Sequence, residues 1–124
     1  MSAERLMVID DEPLVRATLK AILMDAGYDV TVAANGRDGL RQLGARRVDL
    51  VVTDILMPEM EGIETIRAIR RRHPDVKIVA ISGGVGVEGS QLLDSAGKLG
   101  AHQILAKSSV PDQIVGTVEA LLQT

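Results

Sequence analysis

The run Leu50-Val51-Val52-Thr53 is followed directly by the carboxylate of Asp54. Its side chains are apolar or β-branched throughout, which is typical of a strand buried on both faces of a parallel sheet. Comparable short runs occupy residues 6–9, 30–33, 78–81 and 101–106. We therefore predict five strands, of which residues 50–53 form the third.

Segments with helical spacing of apolar residues separate the predicted strands. The last segment carries a continuous stripe made of Ile114, Val115, Val118, Leu121 and Leu122. The others begin near Pro13, run through residues 63–69, and lie around residues 38–43 and 92–99. Because parallel neighbours need crossover helices, five strands alternating with five helices predict a doubly wound α/β sheet.

Length and composition predict a single domain over residues 1–124, with no output domain. The net charge of -3 and the single aromatic residue, Tyr28, argue against nucleic acid as a direct partner. The absence of cysteine excludes disulfides and thiolate chemistry. No signal peptide is visible, and no apolar run approaches the roughly twenty residues of a membrane span. We therefore expect a cytoplasmic protein that does not enter the membrane.

Polar side chains follow four of the predicted strands. Asp10-Asp11-Glu12 follows the first strand, Asp54 the third, Ser82 the fourth and Lys107 the fifth. Because ligands of such sheets bind at the carboxyl ends of the strands, we expect these side chains to share one edge. A divalent cation such as Mg²⁺ would offset the repulsion between the carboxylates, while lysine and serine suit phosphate oxygens. The combination predicts phosphoryl-transfer chemistry.

Each of these residues also has an ordinary structural explanation when it is taken alone. An acidic residue before Pro13 caps a helix, Asp54 and Ser82 suit turns or loops, and Lys107 suits a solvated strand end. Only their joint placement favours a site.

The segment 54–62 reads Asp-Ile-Leu-Met-Pro-Glu-Met-Glu-Gly and resembles the D-x-x-M-P-x-M-x-G segment of response-regulator receiver domains. Residues 10–13, Ser82 and Lys107 occur at fitting spacings, so the resemblance spans essentially the whole chain. It implies a flavodoxin-like sheet of strand order 2-1-3-4-5. It also implies a phosphoacceptor, Asp54, which takes a phosphoryl group from a sensor histidine kinase, a histidine phosphotransfer protein or a small acyl phosphate.

The resemblance further implies a metal site for Mg²⁺ or Mn²⁺. Asp11 and Asp54 would bind the ion directly. The backbone carbonyl of Leu56 would supply another ligand, and Asp10 would act through water. No other cofactor is expected.

The resemblance makes Lys107 the partner of the phosphoryl oxygens and Ser82 a switch residue that moves to donate to them. The family usually has proline after this lysine, where this chain has Ser108, and we expect a differently shaped loop. The second switch position is usually aromatic, whereas here it is Ile104. The usual aromatic swing is therefore in question.

Two further positions are expected to alter the lifetime of the acyl phosphate. Leu56 and Gly84 occupy places that tune dephosphorylation in relatives, and neither side chain can bind a water molecule. We expect a changed dephosphorylation rate without assigning its direction.

The resemblance favours a stand-alone receiver that acts as a phosphorylation switch and not as a substrate-turnover enzyme. Its last two helices and fifth strand would bind an unidentified downstream protein, or a second copy in a phosphorylation-dependent homodimer. A degenerate receiver, working as a phosphorylation-independent binding module, is the alternative that Ser108 and Ile104 motivate. An aspartyl-phosphate phosphatase fits poorly, because Leu56 replaces the second aspartate that such enzymes use as a general acid.

Three other features are interpreted as structural. Residues 84–89 satisfy G-x-G-x-x-G but follow the fourth strand, so they predict a mobile loop and not a dinucleotide site. Arg67 and residues 70–73 form a basic helix end, interpreted as a solvated face with a docking patch as the alternative. His73 and His102 lack metal-ligand spacing.

Overall fold

A five-stranded parallel sheet forms the centre of the computed structural model, which describes residues 3–55, 61–82 and 100–123. The strands are β1 (Arg5–Ile9), β2 (Asp29–Ala33), β3 (Leu50–Asp54), β4 (Lys77–Ser82) and β5 (Gln103–Ala106). All neighbours are parallel and the order is β2-β1-β3-β4-β5. The predicted doubly wound, flavodoxin-like sheet is therefore confirmed.

Four α-helices flank the sheet within the described residues. They are α1 (Pro13–Asp25), α2 (Gly36–Ala45), α3 (Glu61–Arg72) and α4 (Val110–Leu122). Pro13 opens α1, as predicted, and a 3₁₀ turn over Lys107–Ser109 leads directly into α4. The helix predicted around residues 92–99 lies outside the described residues, as does the loop predicted over residues 84–89.

Two apolar layers, one on each face of the sheet, explain why the strand sequences do not alternate. On β1, Met7 and Ile9 pack into the layer that includes residues of α2 and α3, whereas Leu6 and Val8 pack into the layer of α1 and α4. All four side chains have no solvent exposure. Consecutive positions of such a strand are buried on alternate faces, so an uninterrupted apolar run is the pattern that a central parallel strand requires.

The fifth strand begins later than predicted, at Gln103 and not at residue 101. Gly100 adopts a positive φ of 95°, which turns the chain just before the strand. His102 then bonds to β4 through both its backbone and its side chain. Its N–H donates to the carbonyl of Ile78 at 2.8 Å, and its Nδ1 accepts the N–H of Ile78 at 3.0 Å. The structural interpretation of His102 is confirmed.

None of the helices within the described ranges combines the length and the apolar character that crossing a membrane demands.

His102 makes the stability of the sheet edge dependent on pH. Burial, reinforced by the charges of Arg70 and Lys77, lowers the pKa of His102 below its usual value of 6.5. The stabilisation by neutral His102 is complete above pH 6.5 and is lost as the pH falls through the lower folded-state pKa. We expect His102→Asn, whose Oδ1 can accept the same bond without titrating, to show a flatter pH dependence of unfolding free energy. Urea unfolding across this range measures it, and parallel pH profiles would contradict the assignment.

Candidate functional site

The carboxyl ends of the strands bring the predicted polar residues to one edge of the sheet. Asp10 follows β1, Asp54 ends β3, Ser82 ends β4 and Lys107 follows β5. Asp10 and Asp54 are buried, with exposures of 1% and 2%, while Ser82 and Lys107 are half-buried. The topology therefore places two charged carboxylates where water cannot solvate them fully.

Lys107 connects two acidic groups at this edge. Its Nζ lies 3.2 Å from Oδ2 of Asp54 and 3.3 Å from Oε1 of Glu12. Burial lowers the pKa of Lys107, but the hydrogen bonds to Asp54 and Glu12 and the charges of Asp54 and Asp10 outweigh that effect, so its pKa lies above the usual value. Lys107 therefore remains a cation and supplies the countercharge of the buried Asp54.

Asp10 has one satisfied and one orphaned carboxylate oxygen. Oδ1 accepts the backbone N–H of Glu12 at 2.9 Å, while Oδ2 is buried and has no hydrogen-bond partner among the described residues. Burial raises the pKa of Asp10, and the negative charge of Asp54 raises it further. The hydrogen bond from the backbone N–H of Glu12 lowers it, but the pKa still lies above its usual value. A buried carboxylate oxygen in this state requires a cation or a proton.

The acidic residues after β1 suit a divalent cation. Asp10, Asp11 and Glu12 each offer a carboxylate oxygen, and these oxygens all lie within 4.8 Å of one another. An all-oxygen donor set with an unsatisfied buried atom fits Mg²⁺ or Mn²⁺. Of the predicted ligands, Asp10 and Asp11 belong to this group, whereas the Oδ2 of Asp54 contacts Lys107. Leu56 lies outside the described residues.

The contact made by Glu12 and the presence of Arg16 at this site were not predicted, although Glu12 itself was expected at this edge. Glu12 occupies the N-cap position of α1 but makes no side-chain cap bond, and its carboxylate contacts Lys107 instead. Arg16, one helical turn later, donates from its guanidinium to the carbonyl of Asp10 at 2.8 Å. Helical spacing could have suggested Arg16, but no sequence pattern joins Glu12 to a lysine 95 positions away.

Gly62 explains why the 54–62 motif ends in glycine. A Cβ at this position would lie 2.4 Å from the carbonyl oxygen of Ile55 and 2.5 Å from that of Asp54. The start of α3 thus packs backbone to backbone against the end of β3, which fixes the position of Asp54.

The segment around Lys107 is a short turn. The described residues contain no cis peptide bond. Lys107–Ser109 form a 3₁₀ turn, in which the backbone carbonyl of Lys107 accepts a hydrogen bond from the N–H of Val110. Ile104, the predicted switch residue, is buried in the apolar layer that includes residues of α2 and α3. Gly84 lies outside the described residues.

Comparison with known proteins identifies relatives over nearly the whole chain. The family model described as "Response regulator receiver domain" matches residues 6–119. The chain is 34% identical to the chemotaxis protein CheY of Thermotoga maritima over 113 residues, covering 90% of this chain and 92% of that protein. It is 32% identical to the nitrogen assimilation regulatory protein NtrX of Azorhizobium caulinodans over 124 residues, which is 98% of this chain but 27% of NtrX.

Solved structures show the same fold. A CheY-like response regulator receiver domain protein from Methanospirillum hungatei superposes with a TM-score of 0.86 at 26% identity, over 98% of this chain and 95% of that one. The response regulator TrrA from Thermotoga maritima, solved in complex with Mg(2+)-BeF, gives a TM-score of 0.81 at 31% identity, over 95% of this chain and 98% of that one.

The close approach at Gly62 predicts a position-specific cost of adding a methyl group. Gly62→Ala is expected to destabilise the fold by about 1–3 kcal/mol, because backbone carbonyls cannot yield as a side chain would. Gly44→Ala is the matched control, since a Cβ at Gly44 meets nothing within 4 Å. Chemical denaturation should show Gly44→Ala as neutral or more stable. Equal effects of the two substitutions would contradict the packing argument.

The orphaned oxygen of Asp10 predicts that removing its charge stabilises the metal-free protein and weakens metal binding. In EDTA, Asp10→Asn is expected to be more stable than the unsubstituted protein by about 1–3 kcal/mol, because a buried charge is removed. Adding Mg²⁺ should raise the melting temperature of the unsubstituted protein by mass action and that of Asp10→Asn much less. Thermal unfolding with and without Mg²⁺ measures both effects, with Asp25→Asn as an exposed control. Equal Mg²⁺ stabilisation of all three proteins would place the metal elsewhere.

Proposed function

The chain belongs to the response regulator receiver domain family, and from that premise we propose that phosphorylation of Asp54 switches a protein-binding surface of this molecule. The observation that carries the proposal is the buried carboxylate of Asp54 with Lys107 at 3.2 Å, beside an acidic cluster whose oxygens could hold a divalent cation. Receiver domains are signalling switches of two-component systems and work with histidine kinases and phosphotransfer proteins.

Asp54 is the proposed nucleophile. A carboxylate oxygen of Asp54 attacks the phosphorus of a phosphohistidine, the P–O bond forms, and the P–N bond breaks to release the imidazole. A small acyl phosphate would serve as donor in the same way, with a carboxylate as leaving group. Burial keeps competing water away from Asp54, and its fixed place at the end of β3 orients the attacking oxygen.

The proposed metal ligands are Asp11 and Asp54 directly, Asp10 through water, and the backbone carbonyl of Leu56. A bound Mg²⁺ or Mn²⁺ supplies positive charge for the phosphoryl oxygens. In support, the chain itself places the buried, unsatisfied Oδ2 of Asp10 beside Asp11.

Lys107 is the proposed link between phosphorylation of Asp54 and a change in side-chain contacts. A phosphoryl group adds about 1.5 to 2 negative charges and three acceptor oxygens at Asp54. These oxygens compete with Glu12 for the Nζ of Lys107, so we propose that phosphorylation breaks the contact between Lys107 and Glu12. Ser82, at the end of β4, is proposed to donate its hydroxyl to the same oxygens.

The surface of β5 and α4 is the proposed output surface. Lys107 begins the turn that leads from β5 into α4, so movement of Lys107 reaches this surface directly. A groove of about 610 Å³ there is lined by Gln103, Asp112, Gly116 and Leu121 among others. We propose that a downstream protein, or a second copy of this chain, binds here.

The alternative is a receiver that binds partners without phosphorylation. The buried Ile104 and the 3₁₀ turn after Lys107 are the observations that favour it, since both depart from the usual switch. The retained set of Asp11, Asp54, Ser82 and Lys107 favours the phosphorylation switch instead.

Intact-protein mass spectrometry distinguishes the two functions. Incubation with acetyl phosphate and Mg²⁺ is expected to add one phosphoryl group. No phosphoryl group should be added when EDTA replaces Mg²⁺ from the start, or when Asp54→Ala is used. Asp25→Ala, which removes an exposed carboxylate, should still be modified. Because rapid hydrolysis would hide the adduct, binding of beryllofluoride in the presence of Mg²⁺ provides a second readout. Absence of both the adduct and beryllofluoride binding would favour the phosphorylation-independent module.

A further inference from the structure

The arginines of this chain are concentrated on one side of the molecule. Eight of its ten arginines lie between residues 37 and 72, although the net charge of the whole chain is -3. This interval contains α2 and α3, which pack side by side on the same face of the sheet. The proposed phosphorylation switch makes no use of these arginines.

Four of the arginines line a cleft of about 800 Å³ between the two helices. Arg37 and Arg41 reach it from α2, and Arg71 and Arg72 from α3. All four residues are exposed at the surface. We call this region the arginine cleft.

The carboxylates near the arginine cleft do not neutralise it. Asp38 forms an ion pair with Arg41, and Glu64 also lines the cleft. Within residues 3–55, 61–82 and 100–123, neither Arg71 nor Arg72 forms an ion pair. Among the residues that the structure describes, the four arginines outnumber the two carboxylates, so the cleft carries an excess of positive charge.

Helix dipoles explain the positions of only two of the four arginines. Arg71 and Arg72 stand in the last turn of α3, where the dipole favours cations. Arg37 stands in the first turn of α2, where the dipole disfavours a cation. The position of Arg37 opposite the α3 arginines is thus not explained by the stability of its own helix.

We propose that the arginine cleft docks an acidic segment of a partner protein, in addition to the phosphorylation-dependent surface. Leu40 and Ala68 line the cleft between the arginines and offer apolar contacts. Acidic side chains would pair with the guanidinium groups, which suit carboxylates in bidentate geometry. Apolar side chains of the same segment would contact Leu40 and Ala68.

Other anionic ligands fit this cleft less well. Single-stranded nucleic acid uses aromatic platforms, and the one aromatic residue, Tyr28, packs on the opposite face of the sheet. A small-molecule site buries most of its ligand, whereas the charged groups here stand exposed around an open cleft. An extended acidic peptide matches both the exposed charges and the apolar strip.

Fluorescence anisotropy with a labelled peptide of alternating glutamate and leucine tests the proposal on the full chain. The variant Arg71→Glu/Arg72→Glu is expected to bind at least roughly tenfold more weakly, and binding should weaken as salt is added. The matched control, Arg5→Glu/Lys20→Glu, makes the same change in net charge away from the cleft and should bind normally. Asp54→Ala should also bind normally, because this docking does not rest on phosphorylation.

Arg37→Glu provides a second variant on the other helix, should the α3 double variant prove unfolded by circular dichroism. Equal loss in the matched control would show a general charge effect and overturn the proposal. Failure of the peptide to bind, or tighter binding of a single-stranded DNA of equal charge, would overturn it as well.

Discussion

The ammonium group of Lys107, held between the buried carboxylate of Asp54 and the exposed carboxylate of Glu12, is the interaction on which this edge of the molecule depends. Parallel pairing of β1 with β3 brings acidic residues to the same sheet edge. Two like charges about 4 Å apart repel by about 4 kcal/mol at an effective dielectric near 20. One lysine offsets part of this repulsion, and the orphaned oxygen of Asp10 shows that a part remains. The remaining negative charge suits a divalent cation.

The rest of the fold keeps these charges in place. Two fully apolar layers bury the strands on both faces, so the ends of β1 and β3 cannot shift relative to each other without exposing core side chains. Gly62 lets α3 begin directly against the carbonyls of Asp54 and Ile55. In the proposed switch, the sheet edge stays in place and the contact that changes is the one Lys107 makes with Glu12.

Most of the architecture was predictable from sequence, because buried parallel strands and amphipathic helices leave strong periodic signals. All five strands and the positions of Asp10, Asp54, Ser82 and Lys107 at one edge follow from those signals. The predicted start of β5 was wrong by two residues, because the N–H of Ile78 bonds to the side chain of His102 and not to a backbone carbonyl of β5. The role of Glu12 was not predictable, because its contact joins residues 95 positions apart and depends on the fold. The arginine cleft was likewise visible only as a charge run until α2 and α3 were placed together.

A crystal structure with Mg²⁺ and beryllofluoride would show whether Lys107 exchanges Glu12 for the phosphoryl group on Asp54. We expect beryllofluoride on the carboxylate of Asp54, Lys107 Nζ in contact with its fluorides, and Glu12 released. A structure in which beryllofluoride occupies Asp54 while Lys107 keeps its contact with Glu12 would contradict the proposed exchange.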